Sequence, residues 1–454
     1  MKLSSILLLL LWGAIAWASL GGLFAIAIAG VALVGFLMLE LVHISRLGMV
    51  LLGFSLALGL VHFHRGSLDA ALLEQAFGRA AFMAFFLISL FFLQSAAVTS
   101  AMVRRSGDVL VDQPPGRRYL ALTFGSTVFG FLMSLGAITL LGSAIRQGVE
   151  TIGDRRLGEI RLRRMTLALL RGFSTIPLWS PITVSMAIVL SALPEVSWIQ
   201  VFPYGLAFTL ISLLIGWLID RFDPSRTLRA GATHGTSVVQ LLPLVGLVVL
   251  MPVGGWALSV VLGISLLRAL LLALPLMSLV WIAVQCRDSG LWPRLRGIWR
   301  RLTTDILPAM PTMRSEIAIF AGSALLGVFL VPLIDVQWIG WVIAELGLSG
   351  QFVLLIAMWV IVSAAIAGIN PLVSVMIMTE ILPKLPGLDI SQLSVALMAV
   401  GAWSVSINVA PMSTVVRITG QVVMRDPMVI GPKWNGLYTL IIAAVLSAGL
   451  LALG

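Results

Sequence analysis

The stretches 172-GFSTIPLWSPITVS-185 and 402-AWSVSINVAPMSTV-415 decide how this chain is read. Each lies inside an apolar segment long enough to cross a bilayer. Each interrupts that segment with hydroxyl groups and a proline. At an offset of 230 residues, Ser174 falls on Ser404, Pro181 on Pro411 and Thr183 on Ser413. Pro-interrupted hydrophobic segments at matching places in two halves point to the binding site of a secondary transporter.

The composition agrees. Of 454 residues, 59% are hydrophobic and 11% charged, and the mean hydropathy is +1.08. A soluble domain is about 25% charged, and no soluble fold hides this much apolar surface. The pI near 11.0 reflects arginines that fall between apolar spans, which is the positive-inside bias of membrane loops and not a nucleic-acid footprint. The single cysteine, Cys286, excludes an intramolecular disulfide and a Cys-rich metal site. The four histidines form no H-E-x-x-H, and no Walker motif is present. With no clustered His/Asp/Glu and no Ser–His pair, an enzyme is not expected. Lys2, an apolar run and Ala16-Trp17-Ala18 imitate a signal peptide. We read this segment as a retained first helix.

Working outward from the two stretches, residues 1–20 form an extra N-terminal helix, 21–220 a first repeat, 221–235 a linker and 236–454 a second repeat. Helices are expected near 21–40, 47–62, 81–102, 199–219, 236–252, 256–284, 315–333 and 435–453. Residues 67–80 read as a surface helix, Gly254-Gly255 as the turn before the eighth helix, and His234 as the opening of the seventh. The broken helices cover 165–192 and 391–418, interrupted at Thr175–Pro181 and Ser404–Pro411.

Segment 119–145 is the test of topology. Arg104, Arg105, Arg117 and Arg118 precede it, and Arg146 to Arg171 follow. A single crossing helix would put these Arg-rich ends on opposite sides, whereas a re-entrant hairpin keeps both inside. Its tip is expected near Ser134–Thr139, over a cavity, because non-helical backbone at membrane depth needs cover. Segment 350–383 repeats the pattern from outside, with its tip at 368-GINP-371. With two hairpins, 25 of the 29 Lys and Arg fall inside. Arg65, Arg79 and Lys384 fall outside, and Arg268 lies within the eighth helix. The N-terminus is then inside and the C-terminus outside, in a bacterial cytoplasmic (inner) membrane. The fold class is an all-α polytopic membrane protein. It has about eleven transmembrane helices and two hairpins in an inverted-topology repeat.

This order of elements resembles the ion transporter superfamily, and within it the divalent anion/sodium symporters. The resemblance covers nearly the whole chain but is one of architecture. The family's Ser-Asn-Thr tips correspond to 136-GAIT-139 and 368-GINP-371, where Thr139 and Asn370 keep the chemistry. The resemblance implies an elevator-type carrier, a homodimer, with helices 1–3 and 7–8 in its scaffold.

A broken helix exposes free N–H groups on one half and free C=O groups on the other. The N–H ends attract anions and the carbonyl ends suit sodium. Pro181 and Pro411 fit the first turn of the second half-helix. The candidate binding residues are Ser134, Gly136 and Thr139, with Gly368, Asn370 and Pro371, at the tips. At the first break they are Ser174, Thr175, Ser180, Pro181 and Thr183, and at the second Ser404, Ser406, Asn408, Pro411, Ser413 and Thr414. Hydroxyls that only back-bond their own helix are the competing reading. Trp179 and Trp403 read as packing around the cavity. No acid falls in the site, and Asp335, Glu345 and Glu380 read as solvated near the outer boundary. A small organic anion, a carboxylate, is therefore expected as substrate, with Na+ or H+ as coupling ion and no resident cofactor or metal. A cation/proton antiporter, an inorganic oxyanion exporter, and a membrane-embedded enzyme or receptor are the alternatives.

Overall fold

In the computed structural model the described residues are 2–114, 117–222, 238–286 and 291–452, and all regular structure among them is helical. The chain begins with α1 (Leu3–Ser19), α2 (Ala25–Glu40), α3 (Arg46–His64), α4 (Ala70–Val98) and a short amphipathic α5 (Ala101–Val111). Ser134 alone separates α6 (Arg118–Met133) from α7 (Leu135–Glu150). One apolar span holds α8 (Arg155–Ser174), α9 (Ile176–Trp179) and α10 (Val184–Ala192), and α11 (Trp198–Arg221) follows. Next come α12 (Leu242–Leu262), α13 (Leu266–Gln285), α14 (Leu291–Arg300), the single turn α15 (Leu307–Ala309) and α16 (Arg314–Leu330). Helix α17 (Val336–Glu345) bends by 113° into α18 (Gly350–Ile366). The chain ends with α19 (Pro371–Ile381), α20 (Gln392–Val409), α21 (Thr414–Val423) and α22 (Asn435–Ala452). Among the described residues ten stretches are long and apolar enough to cross a membrane, and eleven if the α17–α18 bend forms one span. The protein is an all-α polytopic membrane protein.

Both suspected hairpins fold back. Gly125 on α6 and Gly148 on α7 pack against the adjacent side chains Leu110 and Val111. On one straight helix they would stand about 35 Å apart at 1.5 Å per residue. Ser134 makes the reversal with φ 50° and ψ −131°, a conformation that costs a non-glycine residue. In the second hairpin, Gly350 at the start of α18 lies against Asp389 and Ile390, beyond the end of α19. Ala367–Asn370 turn the chain there, and Gly368 takes φ 102°.

The chain divides into two compact units, each discontinuous in sequence. Unit 1 holds Met1–Ala96 and Met251–Ile339. Within it α1 pairs with α2, where the Ser4 hydroxyl donates to Glu40 Oε1 at 2.6 Å. Helix α3 lies along α16, where the Ser55 hydroxyl donates to the Gly322 carbonyl at 2.8 Å. His62 is buried between the Phe329 carbonyl and the Ser67 hydroxyl, each 2.8 Å away. Unit 2 holds Ala97–Leu250 and Gly340–Gly454, and therefore both hairpins and both broken helices.

Several sequence expectations change. Residues 67–80 form no separate surface helix, because α4 runs unbroken through Ala80. Gly254-Gly255 lie inside α12, and the turn falls at Gly263, which has φ 65°. Two glycines cost a helix about 1 kcal/mol each; inside an apolar span the demand for backbone hydrogen bonds outweighs that. Arg268 is consequently the third residue of α13, exposed, and not deep in a span. The stretches that carry Arg104 and Arg105, and Arg294 to Arg314, read in the sequence as lying between spans, are largely helical, as α5, α14 and the start of α16. His234 lies outside the described residues.

If the first hairpin returns to its own side, single cysteines replacing the exposed Asp108 and Gly153 in a Cys286→Ser background should react with an impermeant maleimide from the same side of sealed vesicles. Reaction from opposite sides would remove the hairpin.

Candidate functional site

The two broken helices break alike. Ser180–Thr183 and Ala410–Ser413 occupy the same four positions at the offset of 230. Proline disfavours the helical region for the residue before it, and Ser180 and Ala410 are indeed extended, with ψ 127° and 118°. Pro181 and Pro411 therefore end the first half-helix rather than open the second. Helix α10 starts after Thr183, whose hydroxyl accepts from the Met186 N–H at 3.4 Å. Helix α21 starts after Ser413, whose hydroxyl accepts from the Val416 N–H at 3.2 Å. These are N-caps in matching positions.

The halves differ upstream of the breaks. Thr175 kinks the first broken helix because Pro177 removes the N–H that would continue it. The matching residue in the second half is Ile407, so α20 runs intact to Val409 and the interruption expected from Ser404 onward begins only at Ala410. Ser174, Thr175 and Ser406 bond carbonyls of their own helices, at 3.0, 2.8 and 2.7 Å. For these three hydroxyls the back-bonding reading holds.

Each hairpin tip reaches the break of its own half. Phe131, three residues before Ser134, stacks on Trp179 with centroids 5.6 Å apart and planes 5° from parallel. Gly130 packs on Ile176, and Gly368 of the second tip faces Met412. Asn370 caps α19, its side-chain oxygen accepting from the Leu372 N–H at 3.0 Å, and Pro371 fills the first helical position. Ser134 and Gly136 are half-buried, while Thr139, Gly368 and Thr414 are exposed. The second arms exchange partners: α7 packs on α21 and α19 on α10. At the centre the Ser404 hydroxyl donates to the Ser174 carbonyl at 2.6 Å, so the two residues that the offset equates touch each other.

A buried cation, counted as a loop charge in the sequence, stands beside this crossing. Arg171 is 3% exposed and lies on α8 one turn before Ser174. Its Nε donates to Asn435 Oδ1 at 2.9 Å and one Nη to the Tyr119 hydroxyl at 3.1 Å and the Gly216 carbonyl at 3.3 Å. Its guanidinium carbon lies 4.4 Å from the centre of the Tyr438 ring. These partners are neutral, and no carboxylate forms an ion pair with Arg171 among the described residues. Asn435 Nδ2 in turn donates to the Asn408 side-chain and backbone oxygens. Asn408 is thus held two residues before the second break by a chain that starts at Arg171. A membrane-end arginine reads as positive-inside charge, so only the intervening helix length of α8 hinted at this depth.

Glu380 also departs from the sequence reading. It is buried on α19, 3.5 Å from Lys384 Nζ, whereas Asp335 and Glu345 are exposed. Trp403 is half-buried.

No protein-family model matches the sequence, and no curated protein matches it either. Solved structures share the fold. One is the YdaH transporter of Alcanivorax borkumensis, reported as having an unusual topology, at TM-score 0.55 and 14% identity over 89% of this chain and 96% of that one. Another is MtrF of Neisseria gonorrhoeae, reported to illuminate a class of antimetabolite efflux pumps, at TM-score 0.53 and 13% identity over 83% of this chain and 82% of that one.

Replacing Asn435 by Ala removes an acceptor from a buried charge, and hydrogen bonds to charged groups are worth about 2 kcal/mol. Asn435→Ala should therefore melt well below wild type in a detergent thermal-unfolding assay, and further below it than Arg171→Met, which removes the charge together with its demand for acceptors. An Asn435→Ala protein as stable as wild type would show that the guanidinium does not depend on this bond.

Proposed function

We propose that the protein is a secondary active transporter of elevator type that moves a small organic anion, a carboxylate, coupled to sodium. The observation that carries this reading is the meeting of each hairpin tip with the matching helix break inside one compact unit. Such meetings bring capped half-helix N-termini, the carbonyls of the broken turns and hydroxyl groups to one place, a set of groups that suits an anion and a dehydrated cation together. The repeated contacts fit an inverted-topology repeat of residues 21–220 and 236–454. Arg171 adds a fixed positive charge whose direct hydrogen-bond partners are neutral, which favours an anion over a cationic substrate. The fold is shared with a transporter and an efflux pump. A homodimer, and residence in a bacterial inner membrane with the N-terminus inside, belong to the same reading. In this reading Thr139, Asn370, Ser180, Thr183, Asn408 and Ser413 are assigned to contact substrate or ion.

Proton coupling is the second reading, and Glu380 favours it. A buried carboxylate on the returning arm of a hairpin is expensive in a membrane and commonly has a role.

Thermal shifts of the purified protein with mono-, di- and tricarboxylates, inorganic oxyanions and amino acids, each in sodium or choline, test the proposal. A ligand at a hundredfold excess over its Kd stabilises the folded state by about 2.7 kcal/mol. One carboxylate class should shift the melting point only with sodium, and Asn408→Ala and Thr139→Ala should weaken that shift while leaving expression intact. A response to pH that Glu380→Gln abolishes, with no sodium effect, would replace sodium by the proton. Indifference to every anion would sink the anion reading.

A further inference from the structure

A second concentration of charge lies away from the breaks, where α5, α6, α8 and α11 come together in unit 2. Arg118 is the first residue of α6, Arg161 and Arg164 are one turn apart on α8, Asp112 ends α5, and Asp220 lies near the end of α11. Arg164 and Asp220 satisfy each other in a two-pronged pair, Nε to Oδ1 at 2.8 Å and Nη2 to Oδ2 at 2.7 Å. Among the described residues Arg118 and Arg161 have no such arrangement. Arg118 is 7% exposed, and the Nε atoms of both arginines are buried without a hydrogen-bond acceptor among the described residues. The Arg118 charge is opposed first by burial and then by Arg161 and Arg164, and Asp112 supports both Arg118 and Arg161. Two like charges thus act on each other where α6 packs on α8, each with a buried Nε unfilled among the described residues, which is unfavourable unless something completes them.

We propose that Arg118 and Arg161 form a binding site for a phosphate-type oxyanion, at the base of the first hairpin. A tetrahedral oxyanion offers several acceptors to two guanidinium forks at once, and it reverses the sign of the local charge. The chemistry is shared by inorganic phosphate and by the headgroup of an anionic phospholipid. A basic pocket between membrane helices is suited to the second. The site is separate from the hairpin tips and helix breaks, so it does not rest on the transport reading.

The test uses the full-length protein, delipidated in a neutral detergent. Melting is followed with inorganic phosphate, with phosphatidylglycerol, and with potassium chloride at matched ionic strength. Wild type should gain roughly 5 °C from phosphate or from phosphatidylglycerol and little from chloride. Arg161→Gln and Arg118→Met should lose most of that gain. Arg118→Met should in addition melt higher than wild type when no oxyanion is present, since it removes a buried cation whose Nε has no acceptor among the described residues. A response to phosphate itself would assign a soluble oxyanion, and a response to the lipid alone would assign a headgroup; either supports the site. If neither ligand moves the wild type, or if both variants respond as wild type does, the site does not exist. Arg161 is only half-buried, so Arg161→Gln keeps the test decisive should Arg118→Met fail to fold.

Discussion

A helix that breaks inside a bilayer must satisfy its own free backbone groups, because no water is there to do it. That constraint shapes unit 2. Thr183 and Ser413 cap the downstream half-helices, Asn370 caps the second hairpin's return, and the hairpin tips cover the breaks. Close approach is needed for that cover, and Gly172 shows how close: a methyl group there would sit 2.0 Å from the Thr123 carbonyl. Thr127 takes advantage of the contact, its hydroxyl donating to the Gly172 carbonyl at 2.9 Å. Hydroxyls and small residues are therefore a packing requirement of the broken helices as well as their candidate chemistry.

Much of this architecture is legible in the residues. Apolar length marks the spans, proline marks the breaks, and the distribution of arginine calls for hairpins. The misreadings have local causes. Proline acts on the residue before it, so Pro181 and Pro411 end helices where a first-turn role was expected. Gly254-Gly255 imitate a turn but stay helical, while the conformational demand for glycine falls on Gly263. Short basic amphipathic segments such as α5 and α14 look like loops when apolar length is the only gauge.

The candidate site was legible in its caps and less so in its charges. Thr183, Asn370 and Ser413 were recognisable because capping residues sit at fixed positions relative to a proline and a helix start. Arg171 and Glu380 were not, because a charged side chain near the end of a span reads as solvated unless its neighbours from distant sequence are known. Tyr119, Gly216 and Asn435 approach Arg171 from three other helices, and no spacing within α8 announces them. The network also ties the halves of the chain together, since Arg171 belongs to the first and Asn435 and Asn408 to the second.

The contact between Ser174 and Ser404 is made in one direction only. Ser404 donates to the Ser174 carbonyl, while the Ser174 hydroxyl turns back to Arg171. Were the halves separate, identical chains about a two-fold axis, this bond would have to form twice or not at all, since every symmetric contact is shared equally. Joined in one polypeptide, the halves escape that equality. One serine is a bridge and its counterpart a local prop, so the equivalence of the two positions ends at the very point where they touch.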